Sequence, residues 1–189
     1  MTTRATTLKD LVARARGYKD AAEFEKCHVS DADAVMAIGA EILKHTPMFH
    51  GACAPMSAAW AALLSDRLRL HAVAVAGDLK IGDFTIFLCD RNIPDPGAGS
   101  TKQMWDGHCW IEIDGWIGDI SIFRTARTIN RSSRLKSFVE SNFGLERGLM
   151  FARCREVEAL GMHYVPKYVL TETQINALLA GLRHQISAT

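Results

Sequence analysis

The stretch from His108 to Ile120 constrains the fold of this chain more than any other. It holds two runs of alternating side chains, His108–Ile113 and Trp116–Ile120, joined only by Asp114-Gly115. Asp-Gly readily adopts the positive φ of a two-residue turn, so the runs read as antiparallel strands of one hairpin. Folding back at that turn makes His108 and Asp119 near-diagonal neighbours across the ladder, within side-chain reach of each other. An aspartate there can hold one imidazole nitrogen and fix the tautomer, leaving the other nitrogen for a third group.

The rest of the chain supplies cover for that hairpin. Leu8, Leu11, Val12, Ala15 and Tyr18 recur at helical spacing and predict one amphipathic helix over 8–26. Ser30 with Asp33 predicts the cap of a second helix through Val35, Ile38 and Ile42, stopped by Pro47. A third begins near Cys53, tolerates Pro55 in its first turn, and carries Met56, Trp60, Leu63 and Leu64 on one face. Beyond Arg69 the period changes to two: His71, Val73 and Val75 alternate with Ala72, Ala74 and Ala76 up to Gly77, a strand whose small face invites close packing. Phe84–Leu88 continues the sheet, and residues 92–101, with two Pro and two Gly, read as an exposed loop. A helix over 134–143, strands over 150–157 and 164–170, and a final helix opened by Thr171 and Gln174 complete an α+β reading with a helical N-terminal part and a closing helix.

A chain of 189 residues fits one domain, and 48% apolar with 23% charged residues is ordinary for a folded one. Its 22 basic and 21 acidic side chains leave no field that would draw nucleic acid or an anionic membrane. Neither a signal-peptide core nor an apolar run of ~20 residues is present, so the expected location is cytoplasmic, with neither nucleic acid nor membrane as partner. The five cysteines, Cys27, Cys53, Cys89, Cys109 and Cys154, are odd in number and contain no CxxC pair. A disulfide scaffold or zinc ribbon is not expected, and the question becomes which thiol is reactive.

Cys53 answers it best. It follows Gly51-Ala52 at a predicted helix start, where peptide N–H groups and the positive helix end favour an anion. Taken alone it reads more readily as one more small buried residue. The hairpin's His108 and Asp119 turn the lone thiol into a Cys-His-Asp set.

These residues in this order resemble the transglutaminase-like superfamily, whose core has a nucleophilic Cys opening a helix, a His in an H-x-W-x-E strand and an Asp on the next strand. Here the matching positions are Cys53 ahead of Trp60, His108-Cys109-Trp110-Ile111-Glu112, and Asp119-Ile120-Ser121, so the resemblance covers about residues 51–121. It implies a papain-like core, a cofactor-free and metal-free thiol hydrolase or acyltransferase, and a peptide or other amide-bearing substrate attacked by Cys53, with His108 as base and acid and Asp119 orienting it. The family's frequent Pro after the aspartate is missing, and Cys109 adds a thiol beside the histidine. Besides the Cys53 N–H, His50, Thr46 and the Trp105 indole are candidates for the oxyanion or substrate contact. A binding module that keeps the scaffold without catalysis is the alternative.

Other residues admit two readings. His45, His50, Cys53, His108 and Cys109 carry zinc-type donors, but at spacings without a CxxC or HxxxH pair. His71 reads as a strand-end histidine with a hydrogen-bond partner, and Glu112 as a cleft residue or a solvated one. Trp105, Trp110 and Trp116 suit an acyl pocket or a core. Arg124, Arg127, Arg131 and Arg134 would form a basic stripe if helical, solvated or facing an acidic peptide or phosphate.

Overall fold

The computed structural model describes residues 4–49, 51–96, 105–128, 133–144 and 146–187. Four helices come first: α1 (Arg4–Arg16), α2 (Tyr18–Lys26), α3 (Ala32–His45) and α4 (Cys53–Leu68). Then follow β1 (Val73–Ile81), β2 (Phe84–Phe87), β3 (His108–Ile113) and β4 (Trp116–Asp119). The chain ends with α5 (Ile122–Thr128), α6 (Arg134–Phe143), β5 (Met150–Arg153), α7 (Cys154–Ala159), β6 (Met162–Val169) and α8 (Glu172–Ser187).

Local chemistry sets the boundaries. The single helix expected over 8–26 is two, because Gly17 takes φ 93 between them, a conformation glycine adopts without a Cβ clash. Asp31, not Ser30 with Asp33, caps α3, its carboxylate accepting from Ala34 N at 3.0 Å. The strand expected over 150–157 stops at Arg153, where Glu156 reaches back to the Arg153 N–H and turns the chain into α7. At α8 the capping box forms as expected, Thr171 Oγ1 accepting from Gln174 N at 3.2 Å and Gln174 Oε1 from Thr171 N at 3.0 Å.

The six strands form one antiparallel sheet with β1 at its centre. The Asp114-Gly115 turn gives the hairpin the expected register, opposing Ile111 to Gly118, Glu112 to Ile117 and Ile113 to Trp116. Strand β1 does not end at Gly77 but runs on to Ile81, and this extra length positions the site. Its first half, Val73–Gly77, pairs with β3, its last residues, Leu79–Ile81, pair with β2, and β6 pairs with it from Val75 to Ile81. Strands β2 and β3 therefore share β1 and part company around Asp78. Gly77 in the middle admits no side chain, since a Cβ there would stand 2.1 Å from the Val165 carbonyl and 2.6 Å from the Trp110 ring.

Helices cover both faces. Ala74, Ala76, Cys109, Ile111 and Ile113 pack with α3, α4 and α8, which accounts for the row of alanines: a helix carrying Met56 and Trp60 lies over them. Val73, Val75, Leu79, Trp110, Ile117 and Tyr164 form the second core with α1, α2, α5 and α6. Among the described residues no helix is long and apolar enough to cross a membrane.

Candidate active site

The first residue of α4 and the first residue of β3 meet at one end of β3. Ser57, one turn into α4, donates its hydroxyl to the Cys109 carbonyl at 3.1 Å and pins the helix start beside His108. Among the described residues no side chain caps α4: Ala52 occupies the cap position, and no capping oxygen from them competes for the first-turn N–H groups. Cys53 is half-buried and, together with His108, lines a cleft of about 490 Å3.

Across the hairpin His108 Nε2 and Asp119 Oδ2 are 2.5 Å apart, the diagonal contact expected from the turn, with side chains only 2% and 0% exposed. Asp119 accepts four further hydrogen bonds. Tyr164 Oη donates to Oδ2 at 2.7 Å, while Oδ1 takes Ser121 N and Ile122 N at 3.0 Å each and Ser121 Oγ at 3.2 Å. Burial alone would push this carboxyl up, but the neighbouring imidazolium and these donors overrule it and hold it below its ordinary value. The imidazole answers in kind. Burial opposes its charge, yet the Asp119 carboxylate, with Cys53 adding a hydrogen bond and its own charge, pushes His108 up to about 10. Since Asp119 occupies Nε2, Nδ1 is the nitrogen left for Cys53. The ring is held flat by Phe87, stacked at 5.0 Å and 15°, on the strand that diverges from β3.

The remaining thiols are of another kind. Cys89 and Cys109 are 1% and 0% exposed, and Cys109 sits on the α4 face of β3, away from the imidazole. Burial pushes the Cys27 thiol up and the Cys154 thiol to about 12.

The oxyanion candidates fare differently. Trp105 lines the cleft, its ring lying against Gly107, but its indole N–H donates to the Arg91 carbonyl at 3.0 Å, so it is a wall and not a free donor. Thr46 is buried beside α5, its carbonyl accepting from Arg124 Nη1 at 2.9 Å, and does not line the cleft. His50 lies outside the described residues.

Other expectations change. Glu112 is neither cleft-lining nor solvated: at 2% exposure it pairs with Arg4 at 2.5 Å and accepts from Trp110 Nε1 at 2.8 Å. Trp110 is core, and Trp116 stacks on Phe151 at 4.7 Å. His71 precedes β1, exposed, with Nδ1 3.5 Å from Glu23. The arginines form no single stripe, because α5 carries Arg124 and Arg127 while Arg134 opens α6, and Arg131 lies outside the described residues. Arg124 bonds the carbonyls of Thr46 and Leu43, Arg127 those of Phe123 and Arg147, and Arg134 covers the Phe84 ring. His45 is exposed at the end of α3, and among the described residues no three His, Cys, Asp or Glu side chains are grouped to hold a metal ion.

Tyr164, Ser57 and Phe87 are the residues that sequence reasoning missed. Ser121 had a local signal, since an aspartate followed two residues later by a hydroxyl residue commonly folds into a side-chain turn. No family model matches the chain, and neither curated proteins nor solved structures yield a match.

Proposed function

We propose that this chain is a thiol hydrolase or acyltransferase acting on a peptide or other amide-bearing substrate, with Cys53 as nucleophile, His108 as general base and acid, and Asp119 orienting His108. One observation carries the reading: a buried His108–Asp119 pair at 2.5 Å whose imidazole is also acted on by Cys53, at the wall of a cleft. The resemblance of residues 51–121 to the transglutaminase-like superfamily, carried by the same three residues in the same order, supports the same reading.

In this mechanism His108 takes the Cys53 proton through Nδ1, and the sulfur attacks the substrate carbonyl. The developing oxyanion lies near the uncapped N–H groups that open α4. The C–N bond then breaks, His108 returns its proton to the leaving amine, and a thioester remains. Water attacking that thioester gives a carboxylic acid, an amine gives a new amide, and either restores the thiol. The walls around Cys53 include Phe49, Met56, Phe87 and Trp105, and Arg124 spends both terminal nitrogens on main-chain carbonyls, which favours an apolar group beside the scissile amide over an acidic one.

Limited iodoacetamide treatment at neutral pH, read by peptide mass spectrometry, tests the assignment. Cys53 is expected to label well before Cys27 and Cys154, the other two half-buried thiols, because it alone stands against an imidazolium. Labelling without contrast among these three would favour a non-catalytic binding module, and labelling led by Cys109 would move the nucleophile.

A further inference from the structure

We infer that Tyr164 is a positioning residue of the site, setting both the orientation of Asp119 and the proton affinity of His108. The inference rests on the proposed thiol chemistry. Its starting point is a shared atom: the Tyr164 hydroxyl donates at 2.7 Å to the same Asp119 Oδ2 that lies 2.5 Å from His108 Nε2.

Two donors on one carboxylate oxygen compete for its charge. A phenol hydroxyl drawing on Oδ2 weakens what that oxygen offers the imidazole, so Tyr164 moderates how tightly His108 keeps its proton. The base must collect a proton from Cys53 and later surrender it to a leaving amine, and an imidazolium bound too firmly performs the second step poorly. The hydroxyl also fixes the carboxylate: with Oδ1 held by Ser121 and Ile122, a donor on Oδ2 leaves Asp119 one rotamer.

The fold is arranged for this reach. Tyr164 is 1% exposed, its ring meets Trp110 edge-on at 5.0 Å, and its carbonyl accepts from the Arg4 guanidinium. The β1–β6 register shifts between Ala76 and Gly77, next to the bare Gly77 that pairs with His108. Among the described residues, the ionisable groups bearing on the His108–Asp119 pair are Cys53 from α4, Tyr164 from β6 and, from the opposite face of β3, Cys109; Phe87 and Trp110 add only rings. Tyr164 is the one among them that removal of a single oxygen silences.

The test uses the full-length protein and the Tyr164→Phe variant, with two readouts. Imidazole 1H–15N resonances follow the His108 titration, and iodoacetamide labelling of Cys53 across pH follows reactivity. The variant is expected to titrate His108 at higher pH, by about one unit or a tenfold change in proton affinity, and to carry the pH dependence of labelling with it. A folded variant with an unchanged His108 titration and unchanged labelling would reduce Tyr164 to packing and overturn the inference. If the titration moves in a protein whose Cys53 never labels preferentially, the positioning role stands and the thiol-enzyme reading falls. Should the phenylalanine variant not fold, 3-fluorotyrosine at position 164, a stronger donor of the same shape, is expected to move the titration the opposite way, and no movement there would equally overturn the inference.

Discussion

Replacing Asp119 by Asn removes one charge from a pair that is almost wholly buried, which makes the cost calculable from its surroundings. Taking one partner from a buried ion pair costs about 3–5 kcal/mol, since the other is left without compensation. Asn keeps an oxygen for the Ser121 and Ile122 N–H groups, so the lower end, about 3 kcal/mol, applies. Against a total stability of about 5–15 kcal/mol the variant stays folded, and its Tm falls by roughly 6–12 °C for a chain of this length. The pH dependence is the sharper signature. His108 is pushed up to about 10 from an ordinary 6.5, so its share of stability is complete below 6.5 and drains away as pH rises through 10. Asp119 is held below its ordinary 3.8, so its share is present above that pH and lost on acidification. The Tm gap between wild type and Asp119→Asn is therefore widest between about pH 4 and pH 6.5 and closes toward pH 10. Comparing the two proteins at each pH cancels the buried thiols, which also titrate in alkali. Calorimetry at several pH values supplies the numbers, and iodoacetamide supplies the chemistry: Cys53 labelling near neutral pH should fall sharply. A gap that stays constant from about pH 6.5 to about pH 10, or a variant as stable as the wild type, would refute the buried-pair argument. Undiminished labelling in a folded variant would take Asp119 out of the site.

Two further outcomes follow from the same geometry. Arg4→Ala strands the Glu112 carboxylate in the core and should destabilise by about 3 kcal/mol, the low end because Arg4 remains 26% exposed, whereas Arg4→Ala with Glu112→Gln should recover part of the loss; urea titration decides, and equal stabilities would mean the charge is not the cause. EDTA should leave Cys53 labelling intact and added zinc should suppress it by engaging the thiolate and His108 together; stoichiometric zinc in the isolated protein, lost with reactivity on chelation, would replace thiol chemistry by metal chemistry.

What the sequence made legible was local. Asp114-Gly115 determined a turn, the turn a register, and the register the His108–Asp119 diagonal, each step spanning a dozen residues at most. The start of α4 at Cys53 and the capping box of α8 were likewise local events. Misreadings arose where a short-range contact overrode a periodic pattern, as when Gly17 broke the first helix and Glu156 bent the chain out of β5. Glu112 was misread for a different reason: its partner Arg4 is 108 residues away, and an alternating strand looks the same whether its polar face meets solvent or a half-buried guanidinium.

Tyr164 shows where the limit lies. Its hydroxyl meets an aspartate 45 residues earlier in the chain, and the contact exists only because β6 returns along the free edge of β1 while β3 and β4 extend the other. That order is a property of the whole sheet. The division of β1 between β3 and β2 is of the same kind: Asp78, where they part, bonds Cys89 N at 2.7 Å and Lys167 Nζ at 2.8 Å, holding the chain beyond β2 away from β3. Phe87 is thereby left at the end of its strand, stacked on the imidazole, and the space beyond it becomes the cleft. Hairpin chemistry alone could bring a histidine to an aspartate; the length of β1 past Gly77 is what gives that pair an aromatic wall and an open side toward the cleft that Cys53 lines.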